Sequence, residues 1–271
     1  MRVGFIGLGS QGGPMARRIA EEGFATTLWA RRPASLEPYA DTAAKTAATP
    51  AELAAASDLV CLCVVGDDDV RQVLESEQGV LAGMRPGGII AIHSTIHPDT
   101  CRELAEKAAA QGISLIDAPV SGGGMAAEAR RLLVMVGGAA EAVERARPVF
   151  ASYGDPIVHL GDVGSGQTTK LLNNLLFTAN LATSQSALEL GNALGVDAAR
   201  LGEVITHGTA NSFALSRVTG GHTLEQLAVH AAGLLHKDVS LIAELASTAA
   251  AEPGIVLTAA DATLAMMRKP R

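Results

Sequence analysis

Lys170 and Asn174 stand four residues apart in a stretch rich in Leu, Ala, Asn and Thr. In a helix that spacing projects an amine and a carboxamide from one face. An amine can take and return a proton, and a carboxamide can hold an oxygen in line. Lysine is scarce here, 5 against 16 arginines. Where guanidinium is the habitual cation, a lysine in an apolar helix suggests proton transfer, which a permanently charged arginine cannot perform. On these residues alone, a lysine snorkelling from a helix is an equal reading. A free lysine titrates near 10.4, so base chemistry close to neutrality needs desolvation or a nearby positive charge.

Two glycine-rich segments could hold anions. Asp117-Ala118-Pro119-Val120-Ser121-Gly122-Gly123-Gly124 follows an apolar run, and its hydroxyl and successive backbone N–H groups can form a nest suited to a carboxylate. A plain turn fits the same residues. Gly7-x-Gly9-x-x-Gly12 follows the apolar run Val3–Ile6 and opens a helical stretch, the context of a dinucleotide fingerprint. Gly7 would allow the tight turn, Gly9 the approach of a pyrophosphate and Gly12 close helix packing. Beyond the second β-like run come Trp29-Ala30-Arg31-Arg32-Pro33, with no acid until Glu37. An acid there would serve the ribose hydroxyls of NAD. Arg31 and Arg32 instead suit a 2′-phosphate, so NADP(H) is expected with NAD(H) possible, a solvated basic loop being the alternative.

The elements that must position these groups follow from periodicity. Val3–Ile6, a helix through Ala20 and a second run at Thr26–Ala30 make a βαβ unit. Apolar runs at Leu59–Val65, Ile89–Ile92 and Ile113–Ile116 alternate with helical stretches at 68–75 and 98–110, as in a parallel sheet covered on both faces. Leu132–Val136 and Ile157–His159 are expected to complete that sheet, with a helix over 139–150 between them. After Gly164 the β-like runs stop. One long helix is expected from Thr168 to Ala193, buried nearly all round because Leu172, Leu175, Leu176 and Ala179 are joined by Leu171 and Leu181 on other faces. Breaks are expected at Gly191, Gly195, Gly208, Gly220-Gly221 and Pro253-Gly254. The reading is an α/β doubly wound Rossmann domain over 1–161 and an all-α domain over 162–271, with the long helix facing the cleft between them.

The composition narrows the function. With 271 residues and 48% apolar content the chain can build a substantial core without disulfide or metal staples. The net charge is −7 and the basic residues are scattered, which argues against nucleic acid. No apolar run reaches the roughly 18 residues of a membrane helix, and no targeting or anchoring segment is expected. Cys61, Cys63 and Cys101 cannot form an even disulfide set, so a reducing, cytoplasmic setting is expected. Cys61 and Cys63 alternate in an apolar run and read as core. His93 and His97 are four apart, but Pro98 denies them a helical face, and His207, His222, His230 and His236 show no ligand spacing, so no metal is expected. Phe213 reads as core, with a pocket-lining role as the alternative.

These segments together resemble the β-hydroxyacid dehydrogenases, which include 3-hydroxyisobutyrate dehydrogenases and tartronate semialdehyde reductases. The resemblance rests on Gly7-Leu8-Gly9-Ser10-Gln11-Gly12-Gly13-Pro14-Met15-Ala16, Ser94-Thr95-Ile96, Asp117–Gly123, Gly164-Ser165-Gly166-Gln167 leading to Lys170-x-x-Asn173-Asn174, and Lys237-Asp238, in that order over about residues 1–242. It implies a Rossmann domain, a helical second domain and reversible NAD(P)-dependent oxidation of a β-hydroxy acid. Lys170 would be the catalytic lysine and Asn174 the substrate-orienting amide. Ser121, Gly122 and Gly123 would hold the substrate carboxylate, Thr95 would lie near the nicotinamide, and Lys237 would reach the cofactor beside its orienting neighbour Asp238. The chain departs from the family at Gln11, usually Met; at Ala30, often Asn or Asp; at Arg130, usually Gly; and in ending at Arg271, somewhat short.

The expected function is interconversion of a small carboxylate-bearing β-hydroxy acid and its semialdehyde or keto acid by a homodimer or a tetramer of dimers. Imine reduction on the related fold would call for a different proton donor at position 170. A redox-silent dinucleotide sensor would need the fingerprint without Lys170, Asn174 and Ser121.

Overall fold

A computed structural model describes residues 1–220 and 223–271, so Gly221 and His222, named above as a break and a histidine, lie outside the described residues. The chain divides into two compact units, Met1–Lys170 and Leu171–Arg271.

In the first unit six parallel strands lie in the order β3-β2-β1-β4-β5-β6, with β1 Arg2–Ile6, β2 Ala25–Trp29, β3 Lys45–Thr46, β4 Leu59–Leu62, β5 Ile89–Ile92 and β6 Ser114–Asp117. Side chains alternate between two cores. Val3, Phe5, Leu59, Cys61, Ile89 and Ala91 face one, and Ile6, Val60, Leu62, Ile90 and Ile92 face the other. The first core is closed by α1 (Gly12–Glu21) and α7 (Ala140–Phe150), and the second by α2 (Pro50–Ala55), α3 (Asp67–Glu75), α4 (Val80–Gly83) and α5 (Pro98–Ala109). This is the doubly wound α/β architecture expected. Helix α5 begins where it does because Pro98 suits its first turn and the His97 side chain accepts from Asp99 N at 3.1 Å. His97 is therefore a cap.

The last strands depart from expectation. β7 (Val120–Ser121), β8 (Leu132–Val136) and β9 (Gly154–His159) form a separate three-stranded sheet, antiparallel between β7 and β8 and parallel between β8 and β9. It meets the large sheet through an isolated bridge between Asp117 and Gly137. A break at Ala118-Pro119 separates β6 from β7, and the short helix α6 (Gly123–Glu128) fills the connection from β7 to β8.

The start of α8 (Ser165–Ala193) belongs to the first unit through Lys170, and its remainder opens the second. With it stand α9 (Ala198–His207), α10 (Phe213–Thr219), α11 (Leu224–Thr248) and α12 (Gly254–Met266). Leu171, Leu175, Ala179 and Leu181 of α8 join Leu235, Val239 and Ile242 of α11 and Ala260 and Leu264 of α12 in one core. Leu172 and Leu176 do not, being 51% and 55% exposed, so α8 is not buried all round in the chain by itself. Gly191 is not a break either. The helix runs through it, and a Cβ there would lie 2.2 Å from Leu201 Cδ2, so this glycine lets α9 approach. A reciprocal capping box between Thr223 and Gln226 starts α11. No helix among the described residues is long and apolar enough to cross a membrane.

Candidate active site

Strand order reverses between β1 and β4, and the fingerprint lies at this switch point. Gly7 has φ +99°, and a Cβ on it would sit 2.2 Å from the Cys63 carbonyl oxygen just past β4. A Cβ on Gly12 would meet the Gly7 carbonyl oxygen at 2.1 Å, so its absence lets α1 close onto the strand. Gly9 is different. A Cβ there would meet nothing within 4 Å, leaving open space beside the backbone. The N-terminus of α1 has no side-chain cap and no acid in its first turn. A positive helix end without an internal anion, beside an open glycine, fits a pyrophosphate.

Arg31 and Arg32 follow β2, and Arg32 precedes the 3-10 turn Pro33–Tyr39 without a side-chain bond to it. Both are exposed. Arg31 Nη2 lies 2.6 Å from Asp69 Oδ1 in the first turn of α3, a pairing that the sequence did not announce.

Ser121 ends β7, and Gly122 and Gly123 turn the chain into α6 with φ +131° and +77°, values that side-chain-bearing residues rarely adopt. A Cβ on Gly123 would again meet only open space. One on Gly124 would lie 2.6 Å from the Ser10 carbonyl oxygen, so the fold sets this loop directly on the fingerprint turn.

Asp117, last residue of β6, is buried with both oxygens used. Oδ1 accepts from Gly164 N and Oδ2 from Gln167 N, each at 2.7 Å. Burial pushes its carboxyl above the ordinary range, while these two N–H groups oppose the rise. The bonds dock the start of α8 on the large sheet. Gln167 in turn donates Nε2 to Ser94 O at 2.7 Å and accepts at Oε1 from Ile96 N at 3.1 Å, flanking the half-buried Thr95. Lys170, one turn further along α8, is itself buried. The first unit thus holds the fingerprint, the Ser121–Gly123 loop, Thr95 and Lys170. Neither Asp117 nor Gln167 was singled out from the sequence for this role. The available signal was an acid closing an apolar strand and an amide in the turn before Lys170.

In the second unit Asn174 donates Nδ2 to Asp238 Oδ2 at 2.6 Å and accepts at Oδ1 from Asn173 Nδ2 at 3.0 Å. Asp238 is buried. Lys237 Nζ lies 2.8 Å from its Oδ1, an ion contact and not an aligned hydrogen bond.

Two family models match the chain. One, described as the NAD binding domain of 6-phosphogluconate dehydrogenase, covers residues 2–161, and the other, NAD-binding of NADP-dependent 3-hydroxyisobutyrate dehydrogenase, covers residues 164–269. The chain belongs to the 3-hydroxyisobutyrate dehydrogenase family. It is 36% identical to the 3-hydroxyisobutyrate dehydrogenase of Pseudomonas aeruginosa over 79% of this chain and 72% of that one. Identity to the 2-(hydroxymethyl)glutarate dehydrogenase of Eubacterium barkeri is 32%, over 90% and 82%. The solved Mycobacterium tuberculosis 3-hydroxyisobutyrate dehydrogenase with L-serine superposes with a TM-score of 0.86 at 28% identity, over 99% of this chain and 94% of that one. The protein is an NAD(P)-dependent hydroxyacid dehydrogenase of this family.

Phe213, expected in the core, is 66% exposed at the start of α10, its ring 6.0 Å from that of Phe177. Cys61 is buried and Cys63 half-buried, and desolvation pushes the Cys63 thiol up to about 12, which disfavours its thiolate. His93 is buried among Phe5, Phe150 and Tyr153. Among the described residues no group of His, Cys, Asp and Glu could hold a metal ion. Arg130 takes φ +57° and pairs with Glu22.

Proposed function

We propose that this dehydrogenase uses NADP(H) in preference to NAD(H) to interconvert a small β-hydroxy acid and its semialdehyde or keto acid. The observation that carries the proposal is the buried Lys170 one helical turn past Gln167, in the same compact unit as the fingerprint and the Ser121 loop. Ser121, Gly122 and Gly123 would hold the substrate carboxylate, and Gly7, Gly9 and Gly12 would admit the pyrophosphate. Arg31 and Arg32 would meet the 2′-phosphate, and Thr95 and Lys237 would flank the cofactor. When bound, the nicotinamide ring supplies the hydride acceptor in oxidation and the donor in reduction.

The protein's part is acid–base chemistry and placement. In oxidation the substrate hydroxyl gives its proton to the neutral Lys170 Nζ as the alcohol carbon becomes a carbonyl. In reduction the Lys170 ammonium returns a proton to the carbonyl oxygen. Asn174 has one Nδ2 proton committed to Asp238, and its second would hold the substrate oxygen in line. The working form would be a homodimer or a tetramer of dimers joined through helices after residue 168, in the cytoplasm.

The test is a panel of short semialdehydes and keto acids mixed with protein and NADPH, following loss of reduced-cofactor absorbance. Hydroxy acids with NADP+ would be screened in the other direction. Carboxylate-bearing compounds should react and their neutral analogues should react slowly, because only the former can use the Ser121 loop. Equal rates for neutral aldehydes or cyclic imines would overturn the proposal.

A further inference from the structure

Gln167 is completely enclosed, and both ends of its carboxamide are spent on a distant segment. Nε2 donates to Ser94 O and Oε1 accepts from Ile96 N, the two groups that bracket Thr95. Its backbone N–H donates to Asp117 Oδ2, at the strand end that leads into the Ser121 loop. Ser94 is fixed from its other side as well, its Oγ accepting from Val64 N at 2.8 Å beyond β4. A primary amide offers a donor and an acceptor side by side while remaining neutral. That is what a backbone C=O and N–H two residues apart require. Three residues later the same helix carries Lys170.

We infer that Gln167 is a positioning residue: it sets the Ser94-Thr95-Ile96 segment in a fixed place relative to Lys170, and so seats the nicotinamide end of the cofactor against the proton-transferring amine. The inference rests on the proposed places of Thr95 and Lys170. It goes beyond them in naming the group that ties the two together. Apolar packing alone could not do this, because removing the amide leaves a buried N–H and a buried C=O without partners and free to draw the segment away.

The test separates the nicotinamide end of the cofactor from the rest. Binding of NADPH is compared with that of 2′-phospho-ADP-ribose, which lacks the nicotinamide, and binding of NADH with that of ADP-ribose. Each is measured by calorimetry on the full chain at pH 6 and pH 9. Gln167→Met keeps the volume and removes both bonds. It should weaken the dinucleotides about tenfold or more while leaving the two fragments within about twofold, since only the dinucleotides carry a nicotinamide for the displaced segment to lose. Gln167→Glu carries the test if the Met variant does not fold. Protonated, its carboxyl still offers a donor and an acceptor. Ionised, it presents an oxygen to the Ser94 carbonyl; Cys101 and Asp117 touch this residue, Asp67 and Arg102 act on Cys101, and Lys170 follows one turn along the helix. It should match the parent at pH 6 and selectively lose dinucleotide affinity at pH 9.

Equal weakening of fragment and dinucleotide in either variant would show a merely structural role and overturn the inference. So would a Gln167→Glu chain that keeps the parental ratio at both pH values. If the unaltered protein bound neither dinucleotide more tightly than its fragment, the assignment of Thr95 would fall, and this inference with it. Failure to find a hydroxy-acid substrate would leave the binding ratios, and hence this test, unaffected.

Discussion

Asn174 on α8 and Asp238 on α11 are joined by a 2.6 Å hydrogen bond from Nδ2 to a buried carboxylate oxygen. A carboxylate only accepts, so the bond decides which way the Asn174 amide points: nitrogen toward Asp238, oxygen toward Asn173. Charge-assisted bonds of this kind contribute about 1.5–3 kcal/mol. A double-mutant cycle with Asn174→Ala and Asp238→Ala, read by urea unfolding, should return a coupling of about that size. Asp238→Ala should also slow turnover, because the amide that would orient substrate could then rotate. A coupling near zero would make the contact incidental.

Lys170→Met should leave cofactor affinity nearly unchanged and lower turnover by about 10²–10⁴, the usual contribution of a general acid or base. The two readouts must be taken together. Loss of both would mean that Lys170 supports the fold of its unit, and near-normal turnover would assign the proton elsewhere, with Lys237 the first candidate.

Cofactor choice should depend on three residues. Replacing Arg31 and Arg32 by Ala should weaken NADP(H) by about tenfold or more per guanidinium and leave NAD(H) little changed. Asp69 enters because it holds Arg31 at 2.6 Å. A 2′-phosphate must share or take that guanidinium, so Asp69→Asn should favour NADP(H) further. The gain should be small, since exposed ion pairs contribute about 0–1 kcal/mol. Equal affinities for NADP(H) and NAD(H) in the unaltered protein would refute the preference.

What could be read from the sequence follows from how local each signal is. The strand at Ile89–Ile92 and the glycine turn at Gly7 declare themselves within a few residues, by period and by residue type. Leu132–Val136 was equally readable as a strand, yet not its sheet, because an apolar run does not say which edge it will find. Gly191 misled because a helical glycine that admits a neighbouring helix looks like one that ends a helix. Leu172 and Phe213 were read as buried on residue type, which cannot distinguish a core face from an uncovered one. The partners of Asp117, Gln167 and Arg31 lie far along the chain, and only the topology brings them together.

Acid should destabilise the protein through His93. Its Nδ1 lies 2.6 Å from the Ala118 carbonyl and so must carry the proton, which leaves Nε2 to accept from the Tyr153 hydroxyl at 3.1 Å. Burial lowers its pKa to about 4, partly opposed by the bond to Ala118. An unfolded histidine protonates near 6.5. Between these values the unfolded chain binds the extra proton, so stability falls as pH drops from about 6.5 to about 4, by up to about 3 kcal/mol from this residue. Urea midpoints at pH 7, 5.5 and 4.5 should show the slope. His93→Phe should start lower at pH 7, with Ala118 O and Tyr153 Oη unpaired, and lose less over the same range. Parallel slopes in the two proteins would place the acid sensitivity elsewhere.

Assembly is the last expectation, and it turns on the helical unit. Leu172, Leu176, Leu190, Leu194, Val204 and Val229 are each more than half exposed in the single chain. One exposed leucine needs no explanation, but these six belong with Phe213, Leu234 and Ile255, also more than half exposed, and together they leave much apolar area of the helical unit open. Covering a whole aliphatic side chain yields about 1.5–3 kcal/mol, so covering what remains exposed yields on the order of 1 kcal/mol each. Twelve such side chains across a two-fold interface would contribute on the order of 10 kcal/mol. Association itself costs about 4–15 kcal/mol, so this surface alone can bring a dimer to the point of stability, and polar contacts at its rim would decide the affinity. We propose a dimer through these helices, with or without further pairing into a tetramer. Light scattering at low micromolar concentration should give at least twice the chain mass, and dilution that dissociates the assembly should cost activity. A stable, active species of about one chain mass would rule the dimer out.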